Sequence, residues 1–242
     1  YTGTANTDTT EEYNGSAWTG GGNLGTARRQ IAGAGTQTAG LAFGGYTTTN
    51  QSVTEEYDGS AWTSGGSLST ARRGLGGAGI QTAGLAFSGV TTIYSTATEE
   101  YDGSAWTGGG NMSAGAQYIA GAGTQTAGLA FGGDTATGVT AATEEYDGSV
   151  WTSGGSMGTA RRALAGFGIQ TAALGAGGDT TSTSAGNSGA TEEYNGTSWT
   201  TSTSMTTARN ELAGAGTQTA GLAFGGMTTT TVTNTEEYSP SF

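Results

Sequence analysis

The tetrapeptide Thr-Glu-Glu-Tyr occurs six times, starting at Thr10, Thr54, Thr98, Thr143, Thr191 and Thr235, at steps of 44, 44, 45, 48 and 44 residues. In five copies a Trp follows eight residues after the Thr: Trp18, Trp62, Trp106, Trp151 and Trp199. A fixed period of this size belongs to repeat architectures, in which each unit buries its apolar face only against its neighbours. The reading is a single array over residues 1–242 with one surplus Thr-Glu-Glu-Tyr copy at a terminus.

Gly makes up 48 of the 242 residues, a composition that suits low-complexity sequence. Five Trp, ten Tyr and apolar segments at constant phase argue instead for a folded array. The charges follow the repeat: twelve of thirteen Glu lie in Thr-Glu-Glu-Tyr, and all seven Arg lie in Thr-Ala-Arg lead-ins. Charge placed this way reads as part of the scaffold. The net charge of −12 disfavours nucleic acid and anionic membrane surfaces as partners. No apolar run approaches the ~20 residues of a membrane span. No signal-peptide pattern opens the chain, and the missing initial Met suggests an excised or processed segment.

Each repeat reads as four short strands. Small and apolar segments at 30–35, 74–79, 118–123, 163–168 and 211–216 supply the innermost strand five times. A polar pair such as Gln81-Thr82 turns the chain into a second apolar strand, ending at Phe43, Phe87, Phe131, Ala176 or Phe224. Thr-Glu-Glu-Tyr makes the third strand, Asp-Gly or Asn-Gly a turn, and the Trp segment the fourth. Helix is disfavoured by Gly and Thr density and by the absence of a 3.6 period. The fold class expected is all-β: a five-bladed β-propeller with four antiparallel strands per blade. The ring would close by N-terminal outer strands joining C-terminal inner strands, with terminal strand exchange between molecules as the alternative to a monomer.

Several residue sets invite functional readings. Adjacent Glu residues on a strand face opposite sides, so they cannot converge on one substrate. One of each pair is expected to bridge a lead-in Arg, with the other solvated: Glu12, Glu56, Glu100, Glu145 and Glu193 against Arg28, Arg72, Arg161 and Arg209. Ala116 stands in the Arg place of one repeat, which should lack the bridge. Gln37, Gln81, Gln125, Gln170 and Gln218 could form a polar ring at one end of the axis, or merely satisfy their own hairpins. Tyr and Trp could stack a sugar, though packing between blades is the larger demand on them.

The segments that differ between repeats are 46–53, 90–97, 134–142, 179–190 and 227–234, beginning at Tyr46, Val90, Asp134, Asp179 and Met227. All join the second strand to the third and should share one face, where loop variation builds binding surfaces on a constant frame. Enzyme chemistry is disfavoured. The chain has no His or Cys for a triad or a zinc site, no Lys for a phosphate loop, and no Ca²⁺-binding loop motif. No metal or other cofactor is expected.

The order of Arg lead-in, strand ending in Phe43-Gly44-Gly45, Glu-x-Tyr57 and Trp62 resembles the kelch repeat and covers essentially the whole chain. Departures are Ser88 for Gly, Ala176 for Phe, and Ala116-Gln117 for the Arg pair. The repeat wording is also similar to kelch-like structural proteins predicted from marine bacteriophage genomes. That resemblance implies a virion-associated, non-enzymatic propeller binding a host-surface glycan or protein through its variable loops. A spacer without a ligand is the main alternative, and a glycan-active enzyme a distant one.

Overall fold

In the computed structural model, which describes residues 5–240, the two-residue Gln-Thr turns fold each Ala/Gly-rich segment into a hairpin, and Thr-Glu-Glu-Tyr pairs with the hairpin's second strand. The strands β1 (Glu11–Tyr13) and β2 (Trp18–Gly20) form a hairpin of their own. The first blade is β3 (Ala32–Thr36), β4 (Ala39–Phe43), β5 (Thr54–Tyr57) and β6 (Trp62–Ser64), in that sheet order. The second is β7 (Gly76–Ile80), β8 (Ala83–Phe87), β9 (Thr98–Tyr101) and β10 (Trp106–Gly108). The third comprises β11 (Ala120–Thr124), β12 (Ala127–Phe131), β15 (Thr143–Tyr146) and β16 (Trp151–Ser153). A small ribbon of β13 (Asp134–Thr135) and β14 (Gly138–Val139) rises from its variable loop. The fourth is β17 (Ala165–Ile169), β18 (Ala172–Ala176), β19 (Thr191–Tyr194) and β20 (Trp199–Ser202). The fifth is β21 (Ala213–Thr217), β22 (Ala220–Phe224) and β23 (Thr235–Tyr238). The protein is an all-β five-bladed propeller, as its repeat predicts.

Blade packing explains the composition. Inner strands pass so close that a Cβ on Gly121 would lie 2.4 Å from the Gly77 carbonyl oxygen of the preceding blade. Farther out, each Phe packs on the Trp of the next blade, with ring centroids 4.9 Å apart for Phe43–Trp106 and 5.1 Å for Phe87–Trp151. The Trp indole N–H then donates to a Thr hydroxyl of the preceding blade, 2.9 Å for both Trp106–Thr54 and Trp151–Thr98. Leu41, Leu85, Leu129 and Leu174 are buried between blades, each stabilising the stack by about 2–3 kcal/mol.

The charges settle differently from the sequence expectation. The buried Arg residues bond the first Glu of each pair: Arg72–Glu99 at 2.9 Å, Arg161–Glu192 at 2.7 Å, Arg209–Glu236 at 2.7 Å, and Arg28–Glu55. The lead-in passes the strand face that carries Glu99, whereas Glu100 points to the next blade, so alternation decides the partner. Glu12, Glu56, Glu100, Glu145 and Glu193 are therefore not the Arg partners, nor are they left to solvent. Each accepts a tyrosine hydroxyl from the following blade: Tyr101–Glu56 at 2.5 Å, Tyr146–Glu100 at 2.6 Å, Tyr194–Glu145 at 2.5 Å, with Tyr57–Glu12 and Tyr238–Glu193 alike. In the third blade, where Ala116 replaces Arg, Glu144 takes the Ser113 N–H at 2.9 Å and has no ion pair among the described residues. The Ser88 hydroxyl bonds the Ala116 N–H at 2.7 Å and carbonyl at 2.8 Å, so two departures from the repeat are each other's partners.

The N-terminal outer strands do meet the C-terminal repeat, but through side chains and not by strand pairing. Thr235–Tyr238 takes the regular place beside β22, and β1–β2 stacks on its far face. Trp18 reaches Thr235 at 2.9 Å and packs on Phe224 at 4.7 Å, and Tyr13 donates to Glu237 at 3.2 Å. The surplus copy thus completes a closed circuit of six Tyr–Glu bonds around five inner hairpins.

Replacing Arg72 by Ala would leave Glu99 buried and unpaired, and should cost about 3–5 kcal/mol in urea unfolding, with partial recovery on adding Glu99→Gln. Burial, and then the bond to a carboxylate, push Tyr101, Tyr146 and Tyr194 up to about 12 from 10. The neutral phenol is the form the fold favours, so its contribution is complete below pH 10 and lost as pH rises towards 12. Urea midpoints should fall across that window, together with delayed tyrosine ionisation at 295 nm; a flat midpoint would contradict the assignment.

Candidate functional site

Each lead-in delivers a residue that pairs, backbone to backbone, with the first residue of a variable loop: Arg29 with Tyr46, Arg73 with Val90, Gln117 with Asp134, Arg162 with Asp179, and Asn210 with Met227. The five loops therefore rise side by side around the axis, on one face. Immediately inside this ring lie Gln30, Gly74, Tyr118, Ala163 and Glu211, joined by a spiral of backbone bonds. Gly74 donates to Gln30 at 3.0 Å, Tyr118 to Gly74, Ala163 to Tyr118 and Glu211 to Ala163, each at 2.8 Å. Making these bonds requires left-handed backbone, with φ from 51° to 60° at all five positions. Glycine adopts that conformation freely, and other residues at a cost of about 1–2 kcal/mol. Four of the five are not glycine, and no two are alike.

These residues border a cavity of about 420 Å³ that runs from the axis outward along the first blade and the N-terminal segment, past Thr10, Leu24, Ala42 and Trp62. Gln30, Tyr118 and Glu211 give it polar groups, and Ile31, Ile119 and Leu212 apolar surface. The Gln30 amide bonds the Tyr118 hydroxyl. Burial pushes the Glu211 carboxyl above the usual carboxylate range, with the Arg162 guanidinium opposing, and its Oε2 is buried without a hydrogen-bond partner. Arg162 lies 5.4 Å from the Tyr118 ring centre, 3.9 Å from Asp134 and 3.8 Å from Asp179. On the opposite side Arg29 and Arg73 flank the Tyr46 ring at 4.8 and 5.0 Å. Loop-to-loop bonds stiffen the rim: Asn50 to the carbonyls of Val90 and Thr91 at 3.0 and 2.8 Å, and Ser182 to Asp134 at 3.0 Å.

The loop positions Tyr46, Val90, Asp134, Asp179 and Met227 thus gather on one face, whereas the glutamines do not form an axial ring. Each glutamine clips its hairpin to the preceding blade: Gln81 to the carbonyls of Gly40 and Tyr57 at 3.1 and 2.7 Å, and Gln125 to those of Gly84 and Tyr101 at 3.0 and 2.7 Å. Gln170 and Gln218 repeat the pattern, while Gln37 reaches the Tyr13 carbonyl alone, at 3.1 Å. A turn position has two unused carbonyls of the neighbouring blade within an amide's reach, so pairing wins over display. The residues of the axial cavity and its rim that sequence reasoning missed are Gln30, Tyr118, Glu211 and Arg162. Comparing the repeats position by position carries the signal, because the residue two places before each Ala/Gly strand differs in all five.

Among the described residues no three His, Cys, Asp or Glu side chains converge as a metal site. No protein-family model matches the chain, and a search of curated proteins finds no match. Removing the clip with Gln125→Ala should destabilise the protein by about 1–3 kcal/mol for two lost bonds, measured by urea unfolding, and leave any ligand binding at the loop face unaltered.

Proposed function

We propose that the protein is a non-enzymatic recognition propeller that binds a polar, glycan-type ligand at the axial mouth and its surrounding loops. One observation carries this reading: in a chain of near-identical repeats, divergence concentrates on a single face. Four side chains are held there in a backbone conformation that glycine would adopt more cheaply, and such cost is characteristic of functional positions. The chemistry suits a sugar, since Glu211 Oε2 lacks a hydrogen-bond partner, Gln30 and Tyr118 can exchange bonds with hydroxyls, and Ile31 and Ile119 offer apolar surface. The kelch-like order of the repeat, and its likeness to structural proteins predicted from marine bacteriophage genomes, support a virion-borne role in host-surface recognition.

A glycan array followed by calorimetry tests this. Gln30→Gly and Glu211→Gly keep the left-handed backbone, so stability should change by no more than about 1 kcal/mol, while affinity for the selected glycan falls at least tenfold. Uniform silence across glycans would overturn the reading. Binding of a host-surface protein alone would replace the glycan as ligand, and silence there too would leave an architectural spacer. Turnover of a bound glycan, abolished by a single Glu substitution without loss of stability, would instead make the protein an enzyme.

A further inference from the structure

The circuit of side chains around the outside is complete, but the inner strands do not close. Each of β3, β7, β11 and β17 packs on the next inner strand, ending at β21, and the spiral of axial backbone bonds runs from Gln30 to Glu211 without returning among the described residues. Between the fifth blade and the first lies a seam with both halves of a blade interface exposed. On its fifth-blade side Leu222 and Phe224 are only half-buried, although Leu41, Leu85, Leu129, Phe43, Phe87 and Phe131 are buried. On its first-blade side sit the glycines that elsewhere receive those groups. A Cβ on Gly77 or Gly84 would strike Phe43 or Leu41 of the preceding blade at 2.8 and 2.7 Å, whereas the nearest atoms to one on Gly33 or Gly40 belong to their own blade, none closer than 3.3 Å.

The outer wall of the seam already has the geometry of a blade. Leu24 donates to the Asp8 carbonyl at 2.8 Å and Arg28 to that of Thr7 at 3.0 Å, matching Leu68–Ser52 at 2.9 Å and Arg72–Gln51 at 3.1 Å. Yet among the described residues β1 pairs only with β2, where β5, β9, β15 and β19 pair on both edges. The carbonyls of Gly221 and Tyr238, in the place that receives a glutamine clip at four other junctions, receive none among the described residues.

We propose that this seam is a receptor for one further inner hairpin of the repeat's own type, which completes a sixth blade on β1–β2. The occupant is a β-hairpin with alternating Gly on its first strand, Gln at its turn and Gly-Leu-Ala-Phe on its second. The register follows from β4 on β5, where Gly40, Leu41, Ala42 and Phe43 oppose Tyr57, Glu56, Glu55 and Thr54. The incoming Gly, Leu, Ala and Phe therefore oppose Tyr13, Glu12, Glu11 and Thr10. Its glutamine clips to Gly221 and Tyr238, and its first residue bridges the axial spiral between Glu211 and Gln30. Specificity arises because both walls are copies of interfaces the molecule already makes. The seam and the axial mouth share one cavity, since Thr10, Leu24 and Trp62 border it together with Gln30 and Glu211, so the hairpin is tested by stability and stoichiometry, readouts that need no glycan.

The test adds a synthetic peptide with the sequence of residues 30–45 to the 242-residue protein, and in parallel fuses the same sequence ahead of Tyr1. The free hairpin bears its own ordering cost, and the fusion offsets that by raising effective concentration. Expected are a 1:1 complex, a rise in Tm of about 5–10 °C at hundredfold excess over Kd, and slower amide exchange in β1. A peptide or fusion carrying Gln37→Ala and Leu41→Asp should lose these effects. Failure of both peptide and fusion to raise Tm overturns the proposal, as does equal stabilisation by the doubly substituted sequence. A dimer whose affinity the peptide does not alter would also overturn it, because the seam would then belong to a second copy.

Discussion

The bond from a tyrosine hydroxyl to a carboxylate of the preceding blade is the interaction on which this architecture depends. A buried phenol needs a partner, and the neighbouring blade supplies one. Glu and Tyr are adjacent, and adjacent residues on a strand project to opposite faces. The dipeptide Glu56-Tyr57 therefore reaches forward to Tyr101 and backward to Glu12. A single dipeptide is a head-to-tail connector, and its repetition links every blade to two others. The first Glu of the motif completes the arrangement from within the blade by neutralising the buried lead-in Arg. With all three roles occupied, the motif has little freedom to change, which explains why Thr-Glu-Glu-Tyr is the least varied part of the sequence.

The blade itself was legible because its signals are local. The Gln81-Thr82 turn, the Asp102-Gly103 turn and the Ala/Gly strand each act over a few residues. The ion pairs were legible in kind but not in partner. Arg72 faces one of two consecutive carboxylates, and only the path of the lead-in decides between Glu99 and Glu100. The glutamines' partners are not legible, because Gln125 acts on carbonyls of a different blade, a relation that no spacing within one repeat contains. The axial site was hidden for a similar reason. Gln30, Tyr118 and Glu211 are 88 and 93 residues apart in the chain and become neighbours only when the ring bends them together.

Two rings of unequal count share one axis. The outer circuit uses six Thr-Glu-Glu-Tyr strands, whereas the inner one has five hairpins. The fifth blade also has no Trp strand among the described residues, and a second cavity of about 210 Å³ lies beside it, bordered by Phe167, Leu174 and Met205. Apolar contacts that are buried four times over are thus relaxed at the place where the ends of the chain meet. Stability should be graded around the ring, highest in the second and third blades, whose neighbours are complete on both sides.

The placement of glycine and aromatic residues gives each blade a thin edge at the axis and a thick one at the rim. Such a unit is a wedge, and the number that fit around a circle is the quotient of a full turn by the wedge angle. No residue specifies that number. It is set by the difference in bulk between Gly77 or Gly121 at the narrow end and the Phe–Trp pairs at the broad end. Thickening the narrow edge by one methyl would open the angle between neighbours towards parallel, and the same repeat would then describe a wider circle.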